Sequence, residues 1–409
     1  MRSRLPLLAL LLALGLPALG LSACGGTTLL HQGVDRTTTV VATASGPAAS
    51  PALAYPLVAT KNTTRVVAPT PAIEAAQIAL AVYPSAAPGT HPGAVALAPS
   101  ASWQAAIAAS VLMAPPIRAP ILFSGAGALP GASASALSVL KPTGAGTAGG
   151  AQVIRIGSVA HPPGLRSAAV NGSNPYDLAA GIDRFVSAAA GKASSAVVVA
   201  SASSPAYAMP AAGWAAESGD PILFVGAAGV PAATRQALES HQNPHIYVLG
   251  PPSVISNATL AALRRYGKVK RVGATGPAAN SVAFAEYRDP PCPYGQPCAH
   301  VPGSFGWALR SPGHGYVLLN ADQPLAAAAA AALSGSGSYG PDLVLEGSDA
   351  LAKPILDYFL NYATPGYTQE GPTAAVYNHG WLIGDQSQIS LSVQAEVDNL
   401  LEAVPQSTH

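Results

Sequence analysis

Charge, cysteine and aromatic side chains are all scarce in this sequence. Acidic and basic residues make up 10% of its 409 residues and nearly cancel, leaving a net charge of +1. Without a basic surplus there is no long-range field to gather nucleic acid, so that class of partner is set aside. Three cysteines in the whole chain exclude a disulfide-built scaffold. Catalytic patterns are missing too. There is no Gly-x-Ser-x-Gly elbow. His241 and His245 have the spacing of a helical metal pair, but Pro244 between them puts both in a loop. The glycine-rich runs Gly144–Gly149 and Gly335–Gly340 precede strands, whereas a dinucleotide loop follows one. No acid/base pair or nucleophile stands out, so no enzyme and no cofactor is expected. What the chain does have is 49% hydrophobic residues, 41 glycines and 39 prolines. That supports a large core and excludes disorder along the whole chain. The length fits two or three domains or a repeat array.

The N-terminus reads as an export signal. Arg2 and Arg4 precede the apolar run LPLLALLLALGLPALG, followed by LSAC ending at Cys24. The run is short and broken by proline, which disfavours a permanent membrane span. Leu21-Ser22-Ala23-Cys24 resembles the lipobox of bacterial lipoproteins. That resemblance implies cleavage after residue 23, acylation of Cys24 and a lipid hold on the membrane; an ordinary signal peptide with a chance cysteine is the alternative. Export places Cys292 and Cys298, in PPCPYGQPC, in an oxidising setting, where a local disulfide is expected. A metal site with His300 would lack a fourth ligand nearby. Residues 24–59 are rich in Ser, Ala, Gly and Pro and read as a flexible tether.

From residue 60 the sequence repeats itself. PILFSGAGALP at Pro120–Pro130 returns as PILFVGAAGVP at Pro221–Pro231. Around both, short continuously apolar runs alternate with helix-like stretches, the pattern of a parallel sheet covered on both faces. A third copy carries YVLLNADQ, LAAAAAAAL and DLVLEG, and IGDQSQISLSVQAEVDNLL parallels LGPPSVISNATLAALRRYG. Each copy opens on a helix signalled by Thr70-Pro71, Asn174-Pro175 or Gly276-Pro277. The expected organisation is a signal peptide (1–23), the tether, and repeats over 60–164, 165–268 and 269–405, the last with a cysteine-bearing insert at 288–306. Pro120, Ile121, Leu122 and Phe123, with Pro221, Ile222, Leu223 and Phe224, read as buried central strands and mainly as core.

These features resemble the cell wall binding repeat 2 family of Gram-positive surface proteins. KRVGATGPAANSVAFA at Lys270–Ala285 follows the family's opening framework, the Pro-Ile-Leu-Phe strings match its Pro-Ile-Leu-Leu strand, and Gly157, Gly250 and Gly384 match its last-strand glycine. Departures include Thr70-Pro71, Asn174-Pro175 and Gly276-Pro277 where the family has Asp-Arg. The resemblance implies an α/β fold of three tandem Rossmann-like modules with parallel sheets in a pseudo-threefold arrangement. It also implies non-covalent binding to an anionic cell-wall glycopolymer, on the outer face of the cytoplasmic membrane. Two residue groups are candidates for the polymer. One is the basic run Arg264, Arg265, Lys268, Lys270 and Arg271, whose bland reading is a helix end plus a solvated strand. The other is the pair of turns after the Pro-Ile-Leu-Phe strands, with Ser124, Gly125, Gly127 and Gly226, which also read as plain structural turns. Trp103 and Trp214 could stack on sugar rings or pack in the core. A solute-binding lipoprotein of a transporter and a protein-interaction scaffold are the alternatives.

Overall fold

Local chemistry sets where the helices begin. Thr70 and Asn174 each hold a side-chain oxygen on N–H groups of the following turn, and Pro71 and Pro175 have no N–H to satisfy. Ser102, Ser256 and Ser390 cap three further helices in the same way. The computed structural model describes residues 58–290, 304–310, 312–363, 366–367, 378–402 and 404–405. The expected signal peptide, most of the tether, Cys24, Cys292 and Cys298 lie outside the described residues.

The described residues begin with β1 (Val58–Ala59), β2 (Thr63–Val66), α1 (Pro71–Val82), β3 (Val95–Pro99), α2 (Trp103–Ala109), β4 (Ile121–Ser124), α3 (Gly131–Leu140), β5 (Val153–Ile156) and β6 (Ser167–Val170). A 3-10 turn at Ser110–Met113 extends α2. There follow α4 (Pro175–Ala190), β7 (Ala196–Ser201), α5 (Pro205–Ala208), α6 (Pro210–Ser218), β8 (Ile222–Val225), α7 (Ala232–Ser240), β9 (His245–Leu249), α8 (Asn257–Leu263) and β10 (Lys268–Val272). The last part holds α9 (Pro277–Glu286), β11 (Gly315–Asn320), α10 (Pro324–Ser334), β12 (Asp342–Leu345), α11 (Lys353–Asn361), β13 (Gly366–Tyr367), β14 (His379–Ile383), α12 (Leu391–Leu400) and β15 (Val404–Pro405).

Three parallel sheets result, ordered β4-β3-β5-β6, β8-β7-β9-β10 and β12-β11-β14-β2. The third carries β1 as an antiparallel addition beside β2. This is the expected α/β fold of three Rossmann-like modules. One feature of the topology is absent from the sequence pattern. The strand that leads into each opening helix sits in the preceding module's sheet: β6 completes the first and β10 the second. The third sheet is completed by β2, from the beginning of the chain, so the ring of modules closes on itself. Arg65 on β2 clamps this closure. It is buried, and its guanidinium donates to Gln394 Oε1 at 2.9 Å and to the carbonyls of Gly384, Asp385 and Ser390 at 3.0, 3.1 and 3.3 Å. Arg271 on β10 repeats the clamp on the carbonyls of Gly250 and Ile255, both at 2.7 Å.

The Pro-Ile-Leu-Phe strands are buried, with Leu122, Phe123, Leu223 and Phe224 at 0% exposure, but they are not central. β4 and β8 are the outermost strands of their sheets. Burial comes from helices: α1 and α10 pack on β4, and α4 and α2 on β8. The preceding proline fits this position, since an edge strand tolerates a missing N–H.

The three modules meet through α2 with its 3-10 extension, α6 and α10. These helices are nearly all alanine and glycine on the faces that touch, and Ala326–Leu333 are buried along the whole of α10. Side-chain size sets how near two helix axes can come, so alanine here means close contact. At Gly213 a Cβ would lie 2.8 Å from Ser334 Oγ, and at Gly335 one would lie 2.7 Å from the carbonyl oxygen of Ala216. Polar ties cross the same contact. Buried Asp342 accepts from Gly213 N at 2.9 Å and Ser334 Oγ at 2.6 Å, while burial pushes its carboxyl up to about 7. Replacing Gly213 by valine should separate α6 from α10 and lower stability by about 1–3 kcal/mol, read as a lower urea midpoint.

Candidate functional site

In each sheet the chain runs outward in both directions from one strand, β3, β7 or β11. An open parallel sheet places its crevice at the carboxyl ends of the strands where this reversal occurs. In the third module that point lies between β11 and β14. The β11–α10 turn, the β14–α12 loop, the start of α1 and the β3–α2 turn of the first module meet there around a cavity of about 420 Å³. Its volume is in the range of small-ligand clefts.

The walls are fixed by short-range bonding. Asn320 N donates to Gln323 Oε1 at 3.1 Å, and Asn320 Nδ2 to the Gln388 carbonyl at 3.0 Å, tying the two loops together. Gln388 Oε1 accepts from Asp385 N at 2.9 Å. Gly384 has φ +122°, and a Cβ there would stand 2.7 Å from Gln388 Oε1, so only glycine lets this amide fold over the strand end. Burial lowers Arg65, beneath the loop, to about 10 against the opposing pull of Asp385. Opposite, Ser102 caps α2 and sets Trp103 at the groove, its ring edge-on to Phe224 at 5.8 Å.

Glu74 lies one turn into α1, 5% exposed, and lines the cavity. No hydrogen bond or ion pair engages its carboxyl among the described residues, and burial pushes it up to about 8. It is therefore neutral at pH 7 and can donate as well as accept. Asp322, Gln323, Gln388, Ser100 and Thr70 complete the polar lining. No lysine or arginine lines the groove among the described residues.

The residues expected from sequence fall in two places. Ser124, Gly125, Gly127 and Gly226 follow β4 and β8, at the carboxyl edges of their sheets. Their polar groups are partly engaged: Ser124 Oγ donates to the Gly125 carbonyl at 2.9 Å and accepts from Ala160 N, and Gly226 and Gly229 exchange two 3.0 Å bonds. The basic run lies chiefly at the opposite edge. Arg264 and Arg265 follow α8 and Lys268 opens β10, all three exposed, Lys270 pairs with Asp289 at 2.6 Å, and Arg271 is the clamp described above. Trp214 is core: it is fully buried and its Nε1 donates to Asp220 at 2.9 Å. Sequence reasoning missed Glu74, although it is the one charged residue in PAIEAAQIALAV, which was a usable signal.

His241 and His245 do not form a metal pair. His241 ends α7, with Nδ1 2.7 Å from the Ser194 carbonyl and Nε2 2.9 Å from Asp183 Oδ2. Burial pulls its pKa down, but the bond and charge of Asp183 and the Ser194 carbonyl outweigh this and the net shift is upward. Its bonds join α7 to α4. Among the described residues, no cluster of three or more His, Cys, Asp or Glu could hold a metal ion, and no helix is long and apolar enough to cross a membrane.

Residues 170–260 match the model of cell wall binding domain 2 (CWB2). That stretch, from the end of β6 to α8, is similar to a CWB2 module. By structure, the chain resembles Cwp8 from Clostridium difficile, with TM-score 0.60 and 15% identity over 83% of this chain and 52% of that one. Cwp6 from the same organism gives TM-score 0.61 and 15% identity over 89% and 51%. The chain thus spans about half the length of these two proteins, and at this identity the likeness is one of fold. No curated protein matches by sequence.

The state of Glu74 can be read in stability. Its folded pKa of about 8 exceeds its ordinary 4.5, so between these values the native state holds a proton that the unfolded chain has released. Stability should fall as pH rises through that window, by at most about 1.4 kcal/mol per pH unit. Glu74→Gln removes this contribution, so its urea midpoint should gain on the parent's from pH 5 to pH 8; parallel curves would show an ionised Glu74.

Proposed function

We propose that the protein attaches non-covalently to cell-wall glycopolymer through its three repeats, with a lipid on Cys24 holding its other end at the membrane. The CWB2 match over 170–260 carries this reading. The groove between the third and first modules supports it: a half-buried tryptophan, two amides, two hydroxyls and two carboxyl groups suit a sugar ring, with its apolar face and ring of hydroxyls. The central helices join three sheets instead of two hinged lobes, which favours a polymer-docking surface over a solute carrier. Binding is assigned to the carboxyl edges of the sheets, with the Ser124–Gly127 and Gly226 turns as outlying contacts.

The test is sedimentation of the full chain with walls isolated from the source bacterium. Trp103→Ala should lower retention about tenfold. Arg264→Ala combined with Lys268→Ala, at the opposite edge, should change it less than about twofold. Loss of retention in the second variant and not the first would move binding to the basic run. For the anchor, Cys24→Ser should shift the protein from the membrane to the soluble fraction.

A further inference from the structure

We propose that the groove between the third and first modules selects an uncharged, hydroxyl- or acetamido-bearing sugar unit of the wall polymer and excludes an anionic one. This rests on the wall-binding reading and adds the chemical class of the unit bound.

Gln323 and Gln388 each present an amide, Ser100 and Thr70 a hydroxyl, and Trp103 a ring. All can serve a neutral polyol, and none supplies the charged donors that a phosphate or carboxylate calls for. The ionisable groups at the cavity are both acids, Asp322 and Glu74. Arg65, beneath the β14–α12 loop, is buried and committed to Gln394 and three loop carbonyls. An anion entering here would meet Asp322 with no counter-charge. A neutral sugar would meet two amides and a carboxyl that has no partner among the described residues.

This groove is not repeated around the ring. The opening helices align on Pro71, Pro175 and Pro277, and the residue one turn further on is Glu74, Leu178 or Asn280. Leu178 is core. Asn280 is 0% exposed, and its amide bonds the Tyr207 carbonyl at 3.3 Å, at a junction where the Tyr207 hydroxyl also accepts from Gly276 N. Only the junction of the third and first modules carries an acid at this position.

The protonation of Glu74 gives the selectivity a pH dependence. The elements packed on α1 are α3, α10, β4 and β2; the first three contain no charged residue, and β2 contributes Arg65. Asp322 and Asp385, in the neighbouring loops, are the other charges to consider; hydrogen bonds from Ser387 hold Asp385 below its ordinary value, while burial lifts Glu74. Above about pH 8 the groove gains a second negative charge and loses a donor.

Retention of the full chain on isolated walls tests this, measured from 50 to 500 mM NaCl and from pH 6 to 9, beside purified poly(glycerol phosphate) as an anionic probe. Retention should vary less than about twofold with salt, because no counterions are displaced by charge pairing. It should fall about tenfold between pH 7 and pH 9, and Glu74→Gln should flatten that profile. Retention that collapses with salt, or capture of poly(glycerol phosphate) that Trp103→Ala abolishes, overturns the uncharged-sugar assignment and leaves wall binding standing. Absence of retention under every condition overturns wall binding itself and this inference with it.

Discussion

The closeness of three alanine-rich helices governs this molecule. α2 with its extension, α6 and α10 come near enough that a single added carbon at Gly213 or Gly335 would collide with the neighbouring helix. Alanine buries little area, so this contact cannot rest on large side chains. It rests on density, and on a few polar bonds placed where backbones nearly touch, such as Gly213 N and Ser334 Oγ on Asp342. The bulkier residues are set around it, with Trp214 against Phe284, Phe305 and Trp307 at 4.8–6.4 Å between ring centres.

Closure of the ring follows from the same architecture. Once the modules are arranged around a centre, each connecting strand is nearer to the sheet it leaves than to the sheet it leads toward. β6 and β10 therefore stay behind, and the third sheet would lack an outer strand if β2 did not fill it. An exposed β14 edge would invite pairing with other chains. β2 is secured by the Arg65 clamp, and nearby Asn62 N donates to Asp398 Oδ1 at 2.7 Å and Gln394 Nε2 to Thr63 Oγ1 at 3.0 Å. Residues far apart in sequence thus hold one another, so the third module depends on the start of the chain.

Much of this could be read from sequence because it is written in period and punctuation. The duplicated Pro-Ile-Leu-Phe strings mark equivalent strands, and Thr70-Pro71 and Asn174-Pro175 mark equivalent helix starts. Strand order could not be read, because β4 and β8 are as apolar as any inner strand; helices bury them instead of neighbouring strands. The proline before each was the available sign of an edge. The basic run misled for a related reason: linear density of charge does not say which way side chains go. Arg271 turns to loop carbonyls, Lys270 to Asp289, and the remaining three lie at the far edge of the sheet. The groove is assembled from four separated segments, and no local pattern can announce that.

Glu74 shows why composition is a guide to such a site. A carboxyl without partners in an apolar helix face is destabilising above its unfolded pKa, and leucine, as at position 178, would pack there without that cost. Glu74 lies in the first turn of α1, where a helix N-terminus offers an acid some compensation, yet burial still pushes its carboxyl up to about 8. Nothing among the described residues bonds it from the other side. In the proposed reading, the group that completes this carboxyl comes through the cavity mouth. A neutral hydroxyl or amide can do so at pH 7 without setting a second negative charge beside Asp322, as a phosphate would.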